Sequence, residues 1–304
     1  MKRSRAGVRG KGTGRQPPAS ERTIAFISEL TRRLRTRTEL VRRCRKSPTM
    51  RNIHRLRVES RRLLARLELL AEFLPAWVGQ AGGRAVRKQL KALGELRDLQ
   101  VHARRIDALL PMHPELQVFR RHLRVQTRRA AAEVRRKLAR RKSSRRLRDL
   151  AVELAAIPEA AGLGPGAIQR PLRQARGEVV RRTVTADGVD ELHRLRLAIK
   201  RCRYLTEALQ PVLPASAADQ LARLRGWQSC LGDLHDLAML QEQLREFADK
   251  NEVAGRYAGV RRLLAGRRRR LGAKHAAFSQ LLRQFDGDTA AAPFAHSVVR
   301  RPGK

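Results

Sequence analysis

The residues best suited to chemistry form two matching sets, each with one histidine followed by several cations. The sets are His54, Arg57, Arg61 and Arg62, and His193, Arg196, Lys200, Arg201 and Arg203. Guanidinium and ammonium groups make charge-assisted hydrogen bonds to phosphate oxygens, and a protonated imidazole donates one more. These residue types indicate binding of a phosphate-rich anion rather than a catalytic centre.

The spacing within each set is that of one helical face. Each residue of an α-helix turns by about 100°, so Arg61 lies about 20° and Arg57 about 60° to one side of His54, with Arg62 about 80° to the other. The set that begins at His193 repeats this arrangement, and Arg203 adds a charge near Arg196. The apolar stripe of the first helix is predicted to be Leu56, Leu63, Leu67 and Leu70.

The two sets belong to a longer internal repeat. His193 follows His54 by 139 positions, and the segment 93–99 (LGELRDL) returns 138 positions later as 231–237 (LGDLHDL). Two motifs that recur in the same order at nearly the same offset indicate a duplicated unit. Two related basic faces brought together would line a positively charged channel or groove.

The second motif is predicted to have mainly a structural role. Leu93 and Leu231, the first leucines of the two copies, should lie in the core. Gly94 and Gly232 should mark a kink or a close approach of neighbouring groups. Asp98 and Asp236 are expected to orient a nearby arginine. Two further arginines are candidates for additional phosphate contacts, Arg97 in this motif and Arg124 in a separate basic run.

The elements that must position these residues are helices, because Leu, Ala, Arg and Glu dominate and aromatic residues make up only 4% of the chain. Predicted breaks fall at Ser47-Pro48 (as N-cap and first helical residue), Gly82-Gly83, Pro111 to Pro114, Pro214 and Gly255. The predicted helices are 21–46, 48–74, 84–110, 114–156, 167–185, 187–210, 215–249 and 252–285.

This order of helices predicts an all-α fold of two four-helix bundles related by pseudo-twofold symmetry. Residues 21–156 would form the first repeat, 157–166 a linker and 167–285 the second repeat. The segments 1–20 and 286–304 have the composition of disordered basic tails.

The amino-acid composition indicates which kind of partner the protein binds and in which cellular compartment it lies. With 68 Lys and Arg against 28 Asp and Glu, the net charge is +40, and such an excess repels itself unless a polyanion relieves it. Three scattered cysteines argue against a disulfide framework or a zinc site and favour a reducing, cytoplasmic location. The segment 1–18 lacks the apolar stretch of a signal peptide, and no apolar run is long enough to span a bilayer.

Both pairs of motifs resemble those of the CHAD family, the conserved histidine α-helical domain, over about residues 20–285. The resemblance implies two pseudo-symmetric helical bundles with a basic surface or pore that binds inorganic polyphosphate, and an association with polyphosphate granules. The Glu-x-Glu-x-Lys motif of a fused triphosphate tunnel domain is absent from this sequence, which indicates a stand-alone member. Leu64 stands where the family often has a basic residue matching Arg203.

The expected function is therefore non-catalytic binding of polyphosphate, with no cofactor and no metal. The alternative is a nonspecific nucleic-acid-binding protein, since the charge alone permits RNA binding at low salt, although few aromatics are present for base stacking. A metal-dependent phosphohydrolase is disfavoured, because no clustered ligand set accompanies either histidine. The sequence leaves the oligomeric state and the protonation of His54 and His193 open.

Overall fold

A computed structural model describes residues 19–71, 76–155, 165–184, 188–213 and 216–284, and within them it contains helices and no strand. The α-helices are α1 (Ala19–Lys46), α2 (Met50–Leu69), α3 (Ala76–Leu109), α4 (Gln117–Ala139), α5 (Arg141–Ala155), α6 (Pro165–Val184), α7 (Gly188–Leu209), α8 (Ala217–Lys250) and α9 (Ala258–Gln284). Short 3-10 helices cover Pro114–Leu116, Gln210–Val212 and Ala254–Tyr257. The predicted all-α class is confirmed.

Helix α2 begins two residues later than predicted. The hydroxyl of Thr49, whose backbone is extended, accepts a hydrogen bond from the backbone N–H of Asn52 at 3.2 Å and so caps the helix. The predicted cap, Ser47, instead donates its own backbone N–H to the carbonyl of Arg43 and continues the last turn of α1. The expectation of Ser47 as N-cap was therefore wrong.

The predicted break at Gly82-Gly83 was also wrong, because α3 runs through both glycines. A Cβ atom at Gly82 would lie 3.0 Å from a methyl carbon of Leu150 on α5. The glycine therefore allows α5 to pack closely against α3 without ending the helix.

Other breaks agree with the sequence in part. The segment from Pro111 to Pro114 separates α3 from α4 as predicted, while the predicted helix 114–156 is interrupted at Arg140, whose backbone leaves the helical region. Near Gly255, the left-handed backbone of Glu252 and a 3-10 helix precede α9. Pro214 and residues 157–164 of the predicted linker lie outside the described residues.

Helix packing follows the same order in each half and brings the two basic helices together. Neighbours α1, α2, α3 and α4 pack in sequence, as do α6, α7, α8 and α9, and α2 also packs against α7. Apolar clusters cross between the halves: Ala65 and Leu69 join a core built on α6 to α8, and Phe119 joins one built on α8 and α9. The halves therefore share cores. No helix among the described residues has the length and hydropathy to cross a bilayer.

Candidate anion-binding site

Burial of the apolar stripe of α2 fixes the direction of its basic face. The four leucines predicted for this stripe are buried, at most 5% exposed. On α7, Leu195, Ile199 and Cys202 are likewise buried. Because α2 and α7 pack against each other, their remaining faces meet beside the interface, and the cations from both sets are drawn into one region.

Four basic side chains form the centre of this region, and we call them the central cluster: Arg57 and Arg61 from α2, and Arg196 and Lys200 from α7. Burial, together with the neighbouring Arg196, Arg61 and Arg57, lowers the pKa of Lys200 to about 6. Burial likewise lowers the pKa of Arg57, with a contribution from Arg196. Cations from different halves thus lie close enough to disfavour one another's charge.

Carboxylates neutralise only part of the central cluster. Asp98 Oδ1 lies 3.9 Å from an Nη atom of Arg57, and Asp236 Oδ1 lies at the same distance from an Nη atom of Arg196. No carboxylate of the described residues lies within 4 Å of Arg61 or Lys200. Burial raises the pKa of Asp98, although Arg57 opposes the effect. The cluster is therefore a partly buried region with more cations than anions.

Gly94 allows Arg57 to approach α3. A guanidinium N–H of Arg57 donates to the carbonyl of Leu93 at 3.1 Å, and a Cβ atom at Gly94 would lie 3.3 Å from the same nitrogen. At Gly232 a Cβ atom would meet nothing within 4 Å. Of the two predicted alternatives, a kink or a close approach, the close approach is thus present at Gly94 and absent at Gly232.

The histidines flank the central cluster and favour the neutral form. Desolvation lowers the pKa of His54, with Arg97 and Arg57 adding to the effect, and lowers that of His193, with Arg196 and Lys200 adding. The ring of His193 lies 4.8 Å, between centroids, from that of His235, whose pKa falls to about 4 through burial and Arg196. His193 Nδ1 is buried without a hydrogen-bond partner among the described residues.

Two other predicted ligands, Arg62 and Arg201, form reciprocal ion pairs across the α2–α7 interface. Arg62 Nε lies 2.6 Å from Glu207, and Arg201 Nε donates to Glu68 at 2.7 Å. Arg201 follows Arg62 by 139 positions, and Glu207 follows Glu68 by the same number. Such exchanged contacts are typical of a twofold interface. Neither glutamate was predicted from the sequence, although their separation of 139 positions equals the offset of the repeat.

Arg203 is also held by protein partners. It is 9% exposed, donates Nε to Gln228 at 2.8 Å, lies 3.2 Å from Glu207 and stacks over the Tyr204 ring. Glu207 therefore joins Arg62 and Arg203. At the equivalent position on α2, Leu64 packs against an apolar cluster.

The two additional candidates differ in position. Arg97 is half-buried, and burial lowers its pKa while Asp236 and Asp98 oppose the effect, which places it beside the central cluster. Arg124 is exposed on α4, and no described hydrogen bond or ion pair joins it to the central cluster. The structure thus brings Arg97 to the site and leaves Arg124 apart.

The two interhelical glutamates are expected to contribute unequally to stability. Glu207 is 12% exposed and contacts two arginines, whereas Glu68 is 34% exposed and contacts one. Glu207→Gln should lower the free energy of unfolding by on the order of 2–3 kcal/mol, because Arg203 then has no carboxylate partner among the described residues and Arg62 keeps only Glu59, at 3.8 Å. Glu68→Gln should cost less than about 1 kcal/mol, as exposed pairs do. Denaturant unfolding checks both, and equal losses would contradict the assignment.

No group of three or more His, Cys, Asp and Glu side chains suited to a metal ion occurs among the described residues. Burial raises the thiol pKa of Cys44 and Cys202 to about 11, so both are protonated at neutral pH. The electrostatic character of the region is therefore set by Arg, Lys, His and two aspartates.

Comparisons with known proteins agree with this architecture. The CHAD domain family matches residues 25–245, and no curated protein matches significantly. The crystal structure of the CHAD domain from the plant Ricinus communis is 19% identical, with a TM-score of 0.64 over 95% of this chain and 98% of that one. PptA from Streptomyces chartreusis is 16% identical, with a TM-score of 0.68 over 88% of this chain and 100% of that one. Since the family match spans most of the sequence, this chain belongs to the CHAD family.

Proposed function

We propose that the α2–α7 face binds inorganic polyphosphate without transforming it. The observation that carries this proposal is the central cluster, in which four basic side chains from both halves meet while, among the described residues, only Arg57 and Arg196 have a carboxylate within 4 Å. Keeping like charges together at low exposure is costly unless an anion offsets them. A chain of phosphates supplies repeated negative charges at the spacing of neighbouring side chains and requires no base-reading chemistry.

The positions of the predicted phosphate-binding residues favour a different role for each group of them. The central cluster contacts phosphate oxygens directly, and Arg97 extends it along α3. His54 and His193 donate hydrogen bonds at the margins once the bound anion raises their pKa. Arg62 and Arg201, which contact Glu207 and Glu68, hold α2 against α7. Arg203 contacts Gln228 of α8, and all three add to the positive field.

The biological setting follows from the ligand. A protein that binds polyphosphate through this face would be recruited to polyphosphate granules in the cytoplasm. The granule location is tested by imaging a fluorescent fusion under conditions that deplete polyphosphate, where a focal signal should become diffuse.

Calorimetric titration with long-chain polyphosphate at physiological salt tests the proposed function, with total RNA and free phosphate as comparison ligands. Polyphosphate should bind most tightly, and its affinity should fall steeply as salt rises, because bound cations displace counterions from the polyanion. Ligand binding should also raise the thermal midpoint. Equal or tighter binding of RNA would favour the nucleic-acid alternative, in which net charge alone determines the partner.

A further inference from the structure

Another cation without a carboxylate partner among the described residues lies outside the α2–α7 face. Arg37 occupies the apolar stripe of α1, between the buried side chains of Leu34 and Leu40, and is only 1% exposed. A core helix position of this kind normally holds an apolar side chain. The presence of a guanidinium there calls for a partner that stabilises its charge.

The protein partners of Arg37 are neutral. Its Nε donates to the hydroxyl of Ser60 at 3.1 Å, and one Nη donates to the side-chain oxygen of Gln89. No carboxylate of the described residues lies within 4 Å of Arg37. Glu39 pairs instead with arginines of α1, and Glu59 pairs with Arg33. Burial lowers the pKa of Arg37 to about 10, so it remains charged at neutral pH.

A cavity of about 760 Å³ borders this guanidinium, between α1, α3 and α5. Arg37, Gln89, Thr31 and Thr38 supply polar lining, and so does Glu39, whose carboxylate is paired with Arg43. The aliphatic part of the wall consists of Leu34, Val41, Leu147, Ala151 and Val152. The volume falls within the range of roughly 300–1,000 Å³ typical of small-molecule sites. One buried cation beside a set of aliphatic side chains suits a ligand that has one anionic group and an apolar body.

We propose that this cavity binds an organic anion in which a single carboxylate or phosphate group is attached to an aliphatic body. The anionic group would pair with Arg37, as a buried cation requires, while the aliphatic body contacts the wall. Arg35 and Arg148 also line the cavity and are exposed, so they attract the anion towards it. A polyphosphate chain has no apolar part to match this wall, so the inference is independent of the proposed function.

The experiment is calorimetric titration of the full chain with octanoate, octyl phosphate, octanol and inorganic phosphate. The two octyl anions should bind with one-to-one stoichiometry, and octanol and inorganic phosphate should bind much more weakly. Whichever of octanoate and octyl phosphate binds more tightly identifies the anionic group of the ligand as a carboxylate or a phosphate. Arg37→Leu should weaken binding of the octyl anions at least about tenfold, because it removes a charge-assisted hydrogen bond.

Two further variants keep the test decisive if Arg37→Leu fails to fold. Ala151→Phe fills the cavity while leaving Arg37 in place, and it should also abolish binding of the octyl anions. Arg32→Gln removes one charge from an exposed position on α1 and should leave their binding unchanged. Octanoate binding that survives Ala151→Phe, or that Arg32→Gln weakens as much as Arg37→Leu does, would overturn the proposal.

Discussion

Simultaneous reversal of Arg57 and Arg196, as Arg57→Glu with Arg196→Glu, is expected to abolish high-affinity binding of polyphosphate. The two arginines come from different halves, and the pKa of Arg57 is lowered in part by Arg196. A hydrogen bond to a charged group contributes about 1.5–3 kcal/mol, so loss of two should weaken binding at least about a hundredfold. The introduced carboxylates would also repel phosphate and pair with Arg61 and Lys200.

The control must change the net charge equally without touching the central cluster. Arg121 and Arg225 are exposed on α4 and α8, so Arg121→Glu with Arg225→Glu provides that match. Titration calorimetry should show near-parental affinity for this control, and circular dichroism should show folded helices in both variants. If the two double variants lose affinity equally, binding depends on diffuse charge and the site is misplaced.

The sequence predicted the faces of the helices better than their ends. The leucine stripe of α2 was correct because helical periodicity alone decides which residues can share a face. Gly82 was taken as a break because glycine weakens an isolated helix, yet it lies within α3, where α5 needs space for Leu150. Packing between helices far apart in the chain overrides such local preferences.

The same limit applies to the site. The sequence assigned Arg61 and Arg62 to one basic face, and it contains no information on which carboxylates the other half would bring. In the structure, Arg62 contacts Glu207 while Arg61 has no carboxylate within 4 Å among the described residues. Neighbouring residues of one set also differ in burial, which the sequence does not show. Lys200 is 9% exposed and therefore buried, whereas the adjacent Arg201 is exposed.

Polyphosphate binding is expected to take up a proton at Lys200, and its affinity should therefore fall as the pH rises. In the ligand-free protein, burial and the neighbouring Arg196, Arg61 and Arg57 lower the pKa of Lys200 to about 6, with Asp236 opposing them. The amine is therefore mostly neutral at pH 7.5. A bound polyanion favours the ammonium form and raises the pKa towards the ordinary value of about 10.4.

The sign of the effect follows from proton linkage. The complex holds more protons than the free protein between about pH 6 and the raised pKa, so each pH unit in that window should weaken binding by up to about tenfold per proton taken up. Below about pH 6 the amine is charged in both states, and Lys200 contributes no slope. His54 and His193 have lowered pKa values as well, and they add to the slope only between those values and the ones to which the bound anion raises them.

Lys200→Arg separates the lysine from the histidines, because arginine keeps its charge throughout the window. Titration at pH 7.5 in buffers of different ionisation enthalpy measures the proton uptake directly. The parent should take up more protons than Lys200→Arg, and the variant should bind with a flatter profile between pH 7 and 9. The double variant His54→Gln with His193→Gln should retain the slope in that range. An unchanged slope in Lys200→Arg would show that the lysine is already charged in the free protein, and that the ligand meets four permanent cations.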